Sequence, residues 1–275
     1  MQNKKMLEDI QNVISDDIMA RQVIEDFKST FEQLGVSENS TATLIFNILG
    51  SIRDADYIEK TEREIRKMFI NQKVCGKNLF ETIQCGLDRR VEIIFEQVNP
   101  HLAGLEKVID YGCGNGRLAK MLKESSNCEI IGVDVRDHLQ RTNAIKFMLL
   151  DGCSVPVANR HFECGVLTNV LHHELENEKI LKELNRIVSK KLVIIETVPN
   201  GDNVEEDWGR MFANDVLWNR FFNCANIPVP GTFDTPSNWI RRFEKYKWGC
   251  IHSENLGFDQ PTIRDKHHLL VFEKK

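Results

Sequence analysis

Through the first hundred residues, apolar side chains recur at helical spacing. Leu7, Ile10, Ile14 and Ile18 fall three or four positions apart, as do Val23, Phe27, Phe31 and Leu34, and Gly35 then stands as a stop signal. The segment TATLIFNIL follows Ser40, a candidate N-cap, and DYIEKTEREIRKMFI and LDRRVEIIFEQV read as two further amphipathic helices, the last ending before Pro100. From residue 105 the pattern changes to short apolar runs alternating with helical ones. EKVIDY, CEIIGVDV, IKFMLL, FECGVLTNV and KLVIIET read as strands, with GRLAKMLKES and ENEKILKELNRIVSK as helices between them. Short, fully apolar strands separated by helices predict a parallel sheet covered on both faces.

Between Pro199 and about Tyr246 this alternation stops. Trp208, Trp218 and Trp239, with Trp248 just beyond, stand among Phe212, Phe221, Phe222 and Phe233, and prolines 228, 230 and 236 punctuate the stretch. WGCIHSENLGF and KHHLLVFEK then read as two closing strands.

Composition narrows the class. The 275 residues carry a formal net charge of −5, which argues against a nucleic-acid binder, because neutralising phosphates needs a basic surface. Eight scattered cysteines, with no CxxC pair, suggest neither a zinc site nor a disulfide framework and fit a reducing compartment. The N-terminal MQNKKMLEDI lacks the apolar stretch of a secretion signal, and no run of about 18 apolar residues exists. The expectation is a cytoplasmic protein with no membrane span and no bound metal.

The stretch 106-EKVIDYGCGNGRLAKML-122 carries the candidate chemistry. A glycine turn between strand and helix lets the backbone approach a nucleotide cofactor without Cβ clashes. A dinucleotide fingerprint would place its third glycine at 117, where Arg117 stands, and an acid at the strand end would repel a pyrophosphate. Asp110 instead suits a cationic amino group, so the pattern favours S-adenosylmethionine.

Together with three later motifs, this stretch resembles the class I S-adenosylmethionine-dependent methyltransferases over roughly residues 80–275. The motifs are VIDYGCGNG, Asp134 closing IIGVDV, Asp151-Gly152 after IKFMLL, and 166-VLTNVLHHE-174. The resemblance implies an α/β Rossmann-like fold: a mostly parallel seven-stranded sheet with helices on both faces, its last strand antiparallel, preceded by an α-helical N-terminal region. It implies cofactor contacts from Asp110, Gly112, Cys113, Gly114, Asp134, Val135, Asp151, Gly152 and Asn169. Asp134 would hold the ribose hydroxyls, Asp151 the adenine amino group, and Val135 the adenine face. The chain departs from the family in one place. The common Lys-Pro-Gly-Gly turn before strand five is replaced by 187-IVSKKL-192.

On this reading residues 1–100 form a helical region that caps the cleft or builds a homodimer through Ile10, Ile14, Phe27 and Phe31. Residues 101–275 form the methyltransferase domain, with an acceptor-binding lid at about 199–247. Methyl transfer from a sulfonium needs alignment and, for a hydroxyl acceptor, a base. His172, His173 and Glu196 are the candidates, all near strand ends. Trp208, Arg210, Asn214, Trp218 and Arg241 are the candidate acceptor contacts, since arginine forks and aromatic walls suit an anionic or polar small molecule. The expected activity is O-methylation of such a metabolite. The alternatives are methylation of RNA or protein, or a non-catalytic cofactor-binding partner subunit.

Overall fold

The computed structural model describes residues 2–138, 144–222, 227–260 and 263–275. The chain divides into two compact units. One comprises Met1–Arg89, Pro199–Phe233 and Phe258–Lys266, and the other Arg90–Val198, Asp234–Gly257 and His267–Lys275. The division thus falls at Arg89 and not at residue 100. The stretch 199–247, expected as a single lid, is shared between the units at Phe233.

The first unit is built on α1 (Gln2–Ser15), α2 (Asp17–Gln33), α3 (Glu38–Arg53) and α4 (Ile58–Asn71). The chain breaks between α1 and α2 because Asp16, extended at ψ 126°, caps the amides of Ile18 and Met19. That break resets the helical phase, so Ile18 is 73% exposed and not on the buried face where the spacing put it. Ser37, not Ser40, caps α3, since Ser37 is the last extended residue and its hydroxyl accepts from the Ser40 amide. A small hairpin, β1 (Lys73–Val74) and β2 (Lys77–Asn78), turns through Cys75 and Gly76, both at positive φ, the geometry of a tight two-residue turn. α5 (Leu79–Val98) follows.

The later segment of this unit supplies α8 (Val204–Val216), continued by a π-helical turn over Leu217–Phe222. Phe31, Phe69 and Phe222 pack with centroids 4.6 to 6.1 Å apart, joining α2, α4 and that turn in one core. Ile10, Ile14, Phe27 and Phe31 are each at most 5% exposed within this core. They are therefore not the face of a dimer. The same periodicity that marks an interface also marks an ordinary core face.

The second unit holds most of the seven-stranded sheet. Its strands are β3 (Lys107–Tyr111), β4 (Glu129–Asp134), β5 (Lys146–Leu149), β6 (Phe162–Thr168), β7 (Val188–Val198), β8 (Trp248–Gln260) and β9 (Ile263–Lys274), in the order β5-β4-β3-β6-β7-β9-β8. The pairs β4/β5, β3/β4, β3/β6 and β6/β7 are parallel. β8 and β9 are neighbours joined by only two residues, too few for a parallel crossover, so they run antiparallel to each other.

Strand periodicity distributes the core between two faces. Ile109, Leu192, Ile194, Leu270 and Phe272 pack in one cluster with α7 (Asn177–Ile187) and α9 (Pro236–Glu244). Val108, Val193, Ile195, Leu269 and Val271 pack in another with the end of α5 and α6 (Arg117–Ser125). No loop separates α7 from β7, which explains the missing Pro-Gly turn. The helix ends at Ile187 and the strand begins at Val188, with one extra β7 residue absorbed by a bulge opposite Phe162 and Cys164. Ser189 Oγ donates to the Phe162 carbonyl at 2.9 Å across that bulge.

Candidate cofactor and active site

β3 ends at Tyr111 and the chain turns through Gly112, Gly114 and Gly116, at φ of 76°, 54° and 73°. All three lie in the left-handed region that glycine enters without strain. Gly112 is also a close approach, because a Cβ there would sit 2.6 Å from Val170 Cγ2. The Gly112 and Cys113 amides donate to the Val133 carbonyl, which ties the turn to β4, and Gly116 is the left-handed N-cap of α6.

Asp110 lies in the central strand, level with Gly132 on one side and Val166 on the other. It is 2% exposed, and its Oδ2 has no hydrogen-bond partner among the described residues. Burial first, and then the charge of Asp134, push its carboxyl from 3.8 up to about 7. A buried carboxylate oxygen without a donor among the described residues, beside a glycine turn, matches a ligand that brings a cation. The α-ammonium of S-adenosylmethionine is such a group.

Asp134 closes β4. Its Oδ2 accepts from the Gly114 amide at 2.9 Å and its Oδ1 from the Arg136 amide at 3.0 Å. Each oxygen keeps a second lone pair, which suits two ribose hydroxyls. His138, four residues on, brings Nε2 to 3.7 Å from Asp134 Oδ2. Sequence reasoning missed His138, although a residue that follows the acid by one turn was a visible candidate.

Val135 is 54% exposed beside Asp134, as an apolar wall for a flat ring would be. Asp151 is exposed and is followed by Gly152 at φ 78°, while the Leu150 amide donates to the Asp134 carbonyl at 2.8 Å. The loop that follows is held by a pair the sequence did not reveal. Glu183 accepts from the Val155 amide at 2.7 Å and from Arg186, whose guanidinium also donates to the Val155 and Val157 carbonyls. Burial works against the Glu183 carboxylate, but Arg186 and the Val155 amide outweigh it and hold its pKa below the usual range. Asn169 sits at φ 54° at the end of β6, its amide donating to the Ile195 carbonyl at 2.8 Å.

His172 and Glu196 form a buried dyad. His172 Nδ1 lies 2.6 Å from Glu196 Oε2, and the two residues are 2% and 1% exposed. Glu196 Oε1 accepts from the Val170 and Leu171 amides at 2.9 and 2.7 Å. Burial alone would raise the Glu196 carboxyl, yet the His172 ring and the two amides bring it below its ordinary value. Glu196 thus does not point to an open cleft mouth. Its carboxylate shapes the 170–172 turn and orients the His172 ring. His173 lies alongside, its ring centroid 4.2 Å from that of His172.

Of the five expected acceptor residues, Trp208, Arg210, Asn214 and Trp218 lie in the first unit and Arg241 in the second. Arg210 is 4% exposed and donates to Asp207 through Nε and Nη2 at 2.6 and 2.7 Å, and to Asp26 and the Arg264 carbonyl through Nη1. Asn214 donates to Asp26 and Asp265 at 2.9 and 3.1 Å. Burial, set against Arg210 and Asn214, pushes the Asp265 carboxyl up to about 7. Trp208 donates to the Gly231 carbonyl at 2.8 Å and stacks on Phe212, while Trp218 lies edge-on to Phe222. Arg241 belongs to the other unit, exposed on α9 and donating to Asn238. The donors of Arg210 and Asn214 are therefore spent within the fold.

The seven described cysteines form no disulfide with one another, and Cys224, expected alongside them, lies outside the described residues. No helix among the described residues is long and apolar enough to cross a membrane.

Comparison with known proteins agrees with this geometry. Residues 109–195 match the methyltransferase-domain family. An O-methyltransferase of Pyrenophora dematioidea is 21% identical over 159 residues, which cover 51% of this chain and 58% of that protein, so the chain spans less than two thirds of its relative. One chain of the complex between the Haloferax volcanii Trm112 methyltransferase activator and a methyltransferase superposes at a TM-score of 0.52. It is 11% identical, over 68% of this chain and 91% of that one. A Pyrococcus horikoshii protein, PH0226, gives 0.51 at 16% identity over 69% and 91%. The Burkholderia thailandensis 1,6-didemethyltoxoflavin-N1-methyltransferase, solved with its substrate and S-adenosylhomocysteine, gives 0.51 at 12% identity over 79% and 90%. At these identities the structural likeness is one of fold.

Proposed function

We propose that the chain is a class I S-adenosylmethionine-dependent methyltransferase, in line with the match of residues 109–195 to the methyltransferase-domain family, and that it methylates an oxygen of a small polar or anionic molecule. The observation that carries the cofactor half of this reading is the buried Asp110 Oδ2, left without a partner beside a turn of three left-handed glycines. Support for an oxygen acceptor comes from the dyad of His172 and Glu196 and from the name of the O-methyltransferase relative. Support for a small acceptor comes from the net charge of −5 and from the toxoflavin-type substrate of the Burkholderia neighbour.

When bound, S-adenosylmethionine supplies an electrophilic methyl group on a sulfonium. Asp110, the Gly112–Gly116 turn and Asp134 are the residues that would hold it, with the methyl group offered to the acceptor oxygen. The acceptor proton passes to the His172 ring, which Glu196 holds in place through Nδ1. Glu196 is a positioning residue in this scheme. It fixes the tautomer and the ring plane, and it stabilises the imidazolium that forms.

The test uses S-adenosylmethionine with a labelled methyl group, incubated with the protein and an extract split into metabolite, RNA and protein fractions. Label in a metabolite, absent with Asp134→Ala, is the expected result. Label in the RNA or protein fraction overturns the small-molecule reading. No label anywhere, with S-adenosylhomocysteine still bound, overturns the catalytic one.

A further inference from the structure

We propose that the outer edge of β8 is a self-association surface, where a second copy of this chain adds its own β8 in antiparallel register and continues the sheet. β8 is the terminal strand in the order β5-β4-β3-β6-β7-β9-β8, and among the described residues no strand lies beyond it. The five consecutive residues Ile251 to Asn255 are all exposed. In a strand, successive side chains point to opposite faces, so side chains on both faces of this stretch reach solvent. Ile251 is 55% exposed. Thirteen residues is long for an edge, and an uncovered edge presents a row of unpaired backbone donors and acceptors.

The sequence of the edge selects its occupant. His252 and Glu254 lie two apart and so share a face, where their side chains already pair along the strand, Nε2 to Oε2, at 3.0 Å. An antiparallel two-fold centred on Ser253 sets His252 of one copy opposite Glu254 of the other, and Glu254 opposite His252. Each imidazole then gains a second carboxylate neighbour, and no like charges are brought face to face. The same register sets Ile251 opposite Asn255. The His101 ring flanks His252 with centroids 5.5 Å apart, and Ser253 Oγ lies 2.8 Å from His268 Nε2, so this part of the strand is supported from within its own unit. A closed isologous pair follows, because two copies of one edge consume each other and leave none for a third.

The test measures the mass of the full chain by sedimentation equilibrium from about 1 to about 100 μM, a span of dissociation constants typical of modest interfaces. The wild type is expected to show a monomer–dimer equilibrium. Ser253→Pro removes a backbone donor from the centre of the edge and is expected to leave a monomer that still binds S-adenosylhomocysteine. His252→Glu places carboxylate opposite carboxylate twice and is expected to weaken self-association roughly tenfold. Adding Glu254→His to it restores complementarity and is expected to recover the dimer. A wild type that stays monomeric across the range overturns the proposal. So does a dimer that all three variants leave unchanged, which would place the interface elsewhere.

Discussion

Asp110→Asn separates the cofactor role of this residue from any structural one, because the two roles predict opposite signs. The Asp110 carboxyl is raised from 3.8 to about 7, by burial first and then by Asp134. The unfolded chain releases this proton near 3.8 while the fold keeps it until about 7, so the stability of the cofactor-free protein falls as pH climbs between those values. A rise of about three pH units corresponds to roughly 4 kcal/mol, absent below 3.8 and fully developed above 7. Asparagine carries no titration, so the variant escapes the whole pH-dependent part, though it still buries an amide at a cost of about 1–3 kcal/mol. Relative to wild type it should gain about 2 kcal/mol between pH 5.5 and pH 8. Ligand affinity should move the other way. Losing a charge-assisted bond to the ammonium costs about 1.5–3 kcal/mol, or a roughly ten- to hundredfold weaker complex at pH 8. Urea unfolding at the two pH values gives the first quantity, and calorimetric titration with S-adenosylhomocysteine gives the second. A variant whose deficit or gain is the same at both pH values, or one that binds the ligand as tightly as wild type, refutes the assignment.

Three further outcomes follow from the same contacts. Gly112→Ala forces an L-residue to φ 76° and drives its methyl to within 2.6 Å of Val170 Cγ2; a loss of about 1–3 kcal/mol by thermal unfolding is expected, and an unchanged melting temperature would contradict the close approach. Arg210→Met leaves Asp26, Asp207 and Asp265 without their shared cation and should cost about 3–5 kcal/mol at pH 8. That deficit should shrink below pH 7, since Asp265 takes up a proton near there; a stable variant that merely loses acceptor affinity would return Arg210 to a ligand-binding role. Glu196→Gln should abolish most methyl transfer while S-adenosylhomocysteine affinity changes by less than about threefold, since a glutamine Oε1 can still accept from the Val170 and Leu171 amides; undiminished turnover would refute its positioning role.

What could be read from the sequence was local. The glycine turn, Asp110 and Asp134 are legible because backbone geometry and strand ends dictate those residues within a few positions of one another. The sheet was legible for the same reason, each apolar run being a strand by itself. The N-terminal helices were also visible, but not what their apolar faces meet. Ile10, Ile14, Phe27 and Phe31 have identical periodicity whether they line a core or an interface, and only the packing of α8 and its π-helical turn against them decides. The break at Asp16 was hidden because one capping aspartate among many acidic residues carries no distinguishing pattern. The dyad was hidden because its partners, His172 and Glu196, are read from separate strand ends and meet only once β6 and β7 pair in register.

Asp110 and Arg210 show why the site could be named and the acceptor contacts could not. Both are charged and almost wholly buried. Arg210 finds one counter-charge three residues away at Asp207, and the others 184 residues away at Asp26 and 55 residues away at Asp265, separations at which no local pattern reveals the last two. Its chemistry suits an anionic acceptor in the sequence and is exhausted by carboxylates in the fold. Asp110 Oδ2 finds no donor among the described residues. A buried charge that the fold satisfies is a contribution to the fold. One that the fold leaves unsatisfied, at a cost that grows as pH rises to 7, is retained only if something outside the chain supplies the missing partner. That distinction is invisible in residue types, and on it rests the proposal that Asp110 meets the ligand while Arg210 serves the fold.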